Sequence, residues 1–120
     1  LNSSCPGTPI AEDYMSGSNT RTCVYEMTGT RNWTDSADRC YSNFNGAQLC
    51  TYQQIRAMAG NGGLTFDATE RWLGDVTLDD QALYTNRQIS GSSDSDLSNF
   101  EGDGNMDDLK RGFCCLRITN

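Results

Sequence analysis

Apolar and polar positions follow two different rhythms along this chain. Trp33, Ala37, Cys40, Tyr41 and Phe44 recur at i, i+4, i+7, i+8 and i+11, which predicts a helix with one apolar stripe. Thr34 is placed to cap it, Asp35 suits its positive N-terminus, and Gly46 stops it. A second helix is expected at once. Thr51-Tyr52-Gln53-Gln54 has the capping-box pattern, Ile55, Met58 and Ala59 form the apolar face, and Gly60 ends it. Elsewhere the pattern is that of strands. Residues 22–28, 71–76, 81–85 and 112–118 are β-branched, aromatic or alternating, and Asp79-Asp80 turns the chain between the middle two. Residues 1–21, which hold both prolines, read as loop, and residues 90–108, with few apolar side chains, read as a long surface loop. A strand, two helices, then strands and loops closed by a terminal strand make an α+β fold.

The chain has 120 residues, enough for one domain spanning 1–120. Only 36% of residues are hydrophobic, so the core is modest. Six cysteines supply reinforcement: Cys5, Cys23, Cys40, Cys50, Cys114 and Cys115. Their even number and wide spacing predict a disulfide framework in an oxidising, extracellular compartment, the alternative being that some stay free and buried. Consecutive Cα atoms lie about 3.8 Å apart, below the usual disulfide range, so Cys114 and Cys115 are not expected to pair with each other. They sit in a strand, where neighbours point to opposite faces, and so should reach two different partners. Cys5 and Cys23 flank a short loop and pair most simply together. Cys40 and Cys50 then remain for Cys114 and Cys115, in either combination. Each of those bridges closes a loop long enough to contribute about 4 kcal/mol on the chain-entropy estimate.

Lys and Arg number 9 against 16 Asp and Glu, a net charge of -7. A phosphate backbone or an anionic membrane repels such a chain, so nucleic acid is not an expected partner. No window approaches the roughly 18 consecutive apolar residues of a membrane-spanning helix, so membrane insertion is not expected either. The chain contains no His, which removes the commonest general base and the Ser/His and Cys/His nucleophile pairs. With the cysteines committed to bridges, an enzyme is not expected. Asn2-Ser3-Ser4 and Asn32-Trp33-Thr34 are sequons, which makes Asn2 and Asn32 candidate glycosylation sites in a secreted protein. The sequence opens on Leu1 rather than Met, from which a processed or excised piece is expected.

The densest polar run is Glu101-Gly102-Asp103-Gly104-Asn105-Met106-Asp107-Asp108. Calcium takes six to eight oxygen ligands, and Glu101, Asp103, Asn105, Asp107 and Asp108 have a spacing that, in a loop, can wrap one. Asp94 and Asp96 are placed to contribute from across the loop. The competing reading is a solvated acidic loop that keeps the protein soluble. Tyr84 and Phe100 are the aromatics best placed to stack on a ligand, against the alternative that both are core.

Several segments together resemble a known family. Cys5-Pro6-Gly7 with Cys23-Val24-Tyr25 looks like an N-terminal disulfide hairpin, and residues 33–40 look like a first helix ending in Cys. Gly46-Ala47-Gln48-Leu49 followed by a helix, Arg71-Trp72-Leu73-Gly74, and Phe113-Cys114-Cys115 complete the series. In this order and spacing they resemble the long form of the C-type-lectin-like domain, over nearly the whole chain. The resemblance implies two helices packed on a short antiparallel sheet with long surface loops, and a Cys40 bridge to the last strand. It also implies calcium among the long loops, and a non-catalytic, secreted recognition module. Its ligand, a glycan or a protein, would then bind at residues 61–69 and 77–108, with Tyr84, Asp94, Asp96, Phe100 and Asn105 in contact. The sugar-binding Glu-Pro-Asn and Gln-Pro-Asp loops are missing, and the nearest echo of the Trp-Asn-Asp motif is Met106-Asp107-Asp108. A second reading is a self-associating subunit of an extracellular fibre or coat, since Ser, Thr, Asn and Gly dominate the polar stretches.

Overall fold

In a computed structural model of the chain, residues 4–14, 20–61, 63–91, 97 and 99–119 are described. The elements run β1 (Ala11–Tyr14), β2 (Thr20–Glu26), α1 (Trp33–Asn43), β3 (Gln48–Leu49), α2 (Tyr52–Gly60), β4 (Arg71–Leu78), β5 (Gln81–Thr85), β6 (Glu101–Asn105) and β7 (Arg111–Thr119). The strands hydrogen-bond in the order β1-β2-β7-β4-β5-β6, and β3 also pairs with β7. The terminal strand is therefore the centre of the sheet. It runs antiparallel to β2 from Thr20↔Thr119 to Glu26↔Phe113 and antiparallel to β3, but parallel to β4 at Arg71↔Arg111 and Trp72↔Gly112. The sheet is thus mixed, not wholly antiparallel as expected.

Alternation along the central strands splits the core in two. Val24, Leu73, Phe113 and Cys115 point to one face, where Ile55, Met58 and Ala59 of α2 cover them with Phe66, Ile89 and Phe100. Cys23, Tyr25, Trp72 and Cys114 point to the other face, with Cys40 of α1. The adjacent cysteines divide in the same way. Cys114 bonds Cys40 and Cys115 bonds Cys50, while Cys5 bonds Cys23. Two bridges therefore clamp the central strand from opposite faces, one to each helical segment.

The second helix starts as its sequence dictates. Thr51 Oγ1 accepts from the Gln54 N–H at 3.1 Å and Gln54 Oε1 accepts from the Thr51 N–H at 2.8 Å. The first helix differs by two residues from expectation. Its cap is Asn32, not Thr34: Asn32 Oδ1 accepts from the Asp35 N–H at 2.8 Å. The chain leaves α1 through Asn45 and Gly46, at φ of 56° and 87°, in the left-handed region where glycine is unstrained.

Two strands fall where loop was expected. β1 lies within the polar N-terminal stretch and pairs with β2 from Ala11↔Val24 to Tyr14↔Arg21. β6 is built from Glu-Gly-Asp-Gly-Asn, which has no strand propensity of its own, yet it pairs with β5 over five residues, from Gln81↔Asn105 to Thr85↔Glu101. Its glycines explain how. A Cβ on Gly104 would lie 3.0 Å from the Tyr84 ring and 3.2 Å from Lys110 Cε, so any other residue there would have to push those side chains back by a few tenths of an ångström.

Gly74 is where β4 meets β3. Its N–H donates to the Cys50 carbonyl at 2.8 Å, and a Cβ there would sit 2.9 Å from the Leu49 carbonyl oxygen. Backbone cannot yield as a side-chain tip can. We expect Gly74→Ala to lower stability by about 1–3 kcal/mol in a urea melt. Gly60→Ala, in a helix with nothing near its absent Cβ, should instead be neutral or stabilising. Equal effects from the two substitutions would refute this account of Gly74.

Candidate ligand-binding surfaces

The β4–β5 turn, the β6–β7 turn and the start of α1 meet at one end of the molecule. The Met106 N–H donates to the Asp80 carbonyl at 2.8 Å, and the Met106 carbonyl accepts from the Trp33 N–H at 2.9 Å. The β6–β7 turn is shaped by Asn105, whose Oδ1 accepts from the Asp107 N–H at 2.9 Å. Leu78 at the end of β4 and Leu109 before β7 stand in solvent, 61% and 66% exposed, and so do Asp79, Asp80, Asp107 and Asp108 on the same two connections.

Residues singled out in the sequence divide in the structure. Phe100 is wholly buried between Tyr52 and Phe66, so it is a core residue and cannot stack on a ligand. Tyr84 is half-buried: Trp72 meets its ring edge-on, and Lys110 Nζ sits 4.0 Å from its centroid. That ring therefore packs on the protein's own cation as well as on Trp72. Asn105 is exposed, as expected of a contact residue. Asp94, Asp96 and Asn2 lie outside the described residues. Asn32 is half-buried and its carbonyl oxygen is committed to the α1 cap.

The expected calcium ligands do not wrap a loop. Glu101, Asp103 and Asn105 are alternate residues of β6, and Asp107 and Asp108 follow on the turn. Side chains two apart on a strand project side by side about 7 Å from one another and do not converge on one point. Among the described residues, no group of three or more His, Cys, Asp or Glu comes together as a metal site. The described members of the expected set therefore do not converge on one point, while Asp94 and Asp96 lie outside the described residues.

Two buried cations, which the sequence did not reveal, brace the start of β4 and the end of the β6–β7 connection. Arg71, 4% exposed, donates through Nε to Glu26 at 2.8 Å, through Nη2 to Asp67 Oδ1 at 2.8 Å and through Nη1 to the Thr69 carbonyl at 2.9 Å. Its guanidinium covers the Phe113 ring at 4.9 Å. Lys110, 7% exposed, donates to Glu70 at 2.7 Å while packing on Tyr84. The Thr69 N–H and the Arg71 guanidinium hold the Asp67 carboxyl at about 2, well below its usual value. Burial and the nearby Glu12 push the Tyr25 phenol up, and its hydroxyl donates to the Pro6 carbonyl.

A second surface lies along the flank of α1. The predicted apolar stripe was too wide. Cys40 is buried and Phe44 half-buried, whereas Tyr41 is 70% exposed. Tyr41 lines a groove of about 420 Å³ between α1, β3 and β4, together with Ala37 and Trp33, which also pack on the core. No sequence signal set Tyr41 apart from Cys40, because both fall on the helical spacing.

No protein-family profile matches this chain, and no curated protein matches its sequence. Among solved structures, it is similar to the crystal structure of botrocetin, a C-type-lectin-like protein. The match covers 93% of this chain and 100% of that one, with 12% identity and a TM-score of 0.53. What is shared at that identity is the fold: a small, disulfide-rich C-type-lectin-like domain of two helices and a mixed sheet. Among the described residues no helix is long and apolar enough to cross a membrane.

Proposed function

We propose that this chain is a secreted, non-catalytic recognition module. It binds a protein ligand through the end formed by the β4–β5 and β6–β7 turns. The observation that supports this reading is the exposure of Leu78 and Leu109 on the two turn segments that also expose Asp79, Asp80, Asp107 and Asp108. Apolar contacts at the centre of an interface with charge at its edge are the anatomy of protein recognition. The rim selects a basic partner and speeds its approach. The lectin-like fold and three disulfides support a rigid extracellular scaffold for such a surface. The same rim opposes self-pairing, because a second copy would bring its carboxylates against these, on a chain already at -7.

The test uses a displayed library of extracellular protein domains, with Leu78→Asp/Leu109→Asp as the competing variant. Both residues are exposed, so the variant should melt with the wild type. We expect domains that bind the wild type to lose about tenfold or more in affinity for the variant, and their association rate to fall with salt. Binders indifferent to the variant would place recognition elsewhere. Light scattering at micromolar concentration should show a monomer. An oligomer that the double variant dissolves would instead support the fibre or coat subunit.

A further inference from the structure

We infer that the outer edge of β6 takes a strand of the basic partner, an extended segment with Lys or Arg at every second position. This names how the partner proposed above is held, and it rests on that reading for the partner's charge. The backbone carries it. The Asn86 N–H donates to the Phe100 carbonyl and the Met106 N–H to the Asp80 carbonyl, both at 2.8 Å. These bonds flank the β5–β6 register, which runs without a shift from Gln81↔Asn105 to Thr85↔Glu101. Bonded and non-bonded pairs alternate along an antiparallel ladder. Tyr84↔Gly102 and Ala82↔Gly104 are therefore the bonded pairs, and Glu101, Asp103 and Asn105 turn their N–H and C=O groups away from β5. β6 is the last strand in the sheet order, so among the described residues no strand pairs with that edge. The Asn105 carbonyl is taken by the Asp108 N–H at 2.9 Å. The N–H groups of all three residues and the carbonyls of Glu101 and Asp103 form the ladder that a docking strand completes.

Side chains decide which strand fits. Glu101, Asp103 and Asn105 share one face of β6, about 7 Å apart. Asp103 is exposed and Glu101 half-buried, and among the described residues neither carboxylate sits in an ion pair. On the opposite edge strand, β1, Glu12 already pairs with Arg21 at 3.1 Å. A strand laid along β6 spaces its own side chains in the same way, so cations at alternate positions fall opposite Glu101 and Asp103. A second copy of β6 would put carboxylate against carboxylate, which disfavours self-pairing along this edge. The other face of β6 sets a different condition. Gly102 and Gly104 present no side chain there, and a Cβ on them would lie 3.5 Å from Tyr84 Oη and 3.2 Å from Lys110 Cε. A cation on that face would approach the Lys110 ammonium. The residues between the partner's cations are therefore neutral, and a continuous basic run fits less well than an alternating one.

The experiment titrates the intact, disulfide-bonded chain with a short end-blocked peptide that alternates Arg and Thr, followed by amide-resolved NMR. A peptide of equal composition carries its Arg residues in one block. Two more alternating peptides are N-methylated on the backbone, one at its Arg and one at its Thr residues. We expect the alternating peptide to bind and to slow hydrogen exchange at the Glu101 and Asp103 amides. The Gly102 and Gly104 amides, already bonded to β5, should not respond. The blocked peptide should bind about tenfold more weakly. Only one N-methylated peptide should lose about tenfold or more, because only one edge of the added strand faces β6. On the protein, Asp103→Pro removes an outward N–H and leaves the β5 ladder intact, so it should weaken binding about tenfold or more. Asp103→Asn, which removes only charge, should weaken it severalfold.

No binding, equal binding of the alternating and blocked peptides, or equal effects of the two N-methylations would each overturn the inference. The peptide series decides even if Asp103→Pro fails to fold. Library domains that lose affinity for Leu78→Asp/Leu109→Asp but not for Asp103→Pro would also overturn it, while the protein-binding end stands. Domains that lose affinity only for Asp103→Pro would uphold the strand and remove the two leucines from recognition.

Discussion

Replacing Cys40 and Cys114 together by alanine should lower stability by about 4 kcal/mol and the melting temperature by about 15 °C. The bridge joins residues 74 apart in sequence, so its loss frees a long loop in the unfolded chain. The Cys50–Cys115 bridge spans 65 residues and should behave alike, whereas Cys5–Cys23 spans 18 and should contribute about 3 kcal/mol by the same relation. Packing adds to the difference. Cys23, Cys40, Cys50 and Cys114 are wholly buried, but Cys5 is only partly so. Because Cys114 and Cys115 fasten the central strand to both helical segments, removing both long bridges should leave no cooperative transition. Far-UV circular dichroism on the three double variants orders them directly. A Cys5/Cys23 variant less stable than the Cys40/Cys114 variant would contradict this clamp.

That clamp was half legible in the sequence. Adjacent cysteines on one strand must diverge, which sent them to two partners, but not to which. The assignment needed the sheet, because Cys40 and Cys50 reach Cys114 and Cys115 from opposite faces. Helix α2 was readable because its signals are local: a capping box and three apolar positions within nine residues. β6 was not readable, because nothing local makes Glu-Gly-Asp-Gly-Asn a strand. It is held by the backbone of β5, and its glycines answer to Tyr84 and Lys110, the latter in the next segment of chain. The expected convergence of Glu101, Asp103 and Asn105 went with it, since spacing that wraps an ion in a loop spreads side chains apart along a strand. Phe100 was open between a ligand-stacking role and the core, and long-range packing on Tyr52 and Phe66 decides for the core. The groove escaped for the opposite reason. Core-facing and outward positions of α1 share one helical spacing and read as one broad apolar stripe, and the difference between Cys40 and Tyr41 is a rotation of about 100° around the axis.

Arg71 was equally hidden, and its removal should be the most damaging single substitution outside the disulfides. Arg71→Met keeps much of the stem that packs on Phe113 but strips the donors from Glu26, Asp67 and the Thr69 carbonyl. Breaking a buried ion pair from one side costs about 3–5 kcal/mol. Glu26 keeps Arg111 at 3.5 Å and Asp67 is largely in solvent, so the low end, about 3 kcal/mol, is expected. Arg71→Lys should recover only part of this, since an ammonium cannot fork between two carboxylates while also reaching a carbonyl. The acid limb supplies an independent check. Asp67 titrates at about 2 in the folded chain against 3.8 when unperturbed. A carboxylate with a depressed folded pKa stabilises above its unfolded value. That contribution fades as pH falls from about 4 toward about 2. The Thr69 N–H is the first cause of the depression and Arg71 a lesser one, so Arg71→Met should raise the Asp67 pKa only part of the way. A carboxyl-resolved NMR titration of both forms reads this directly. Full return of Asp67 to its ordinary value would show that the guanidinium, and not the turn at Thr69, sets the charge at this corner of the sheet.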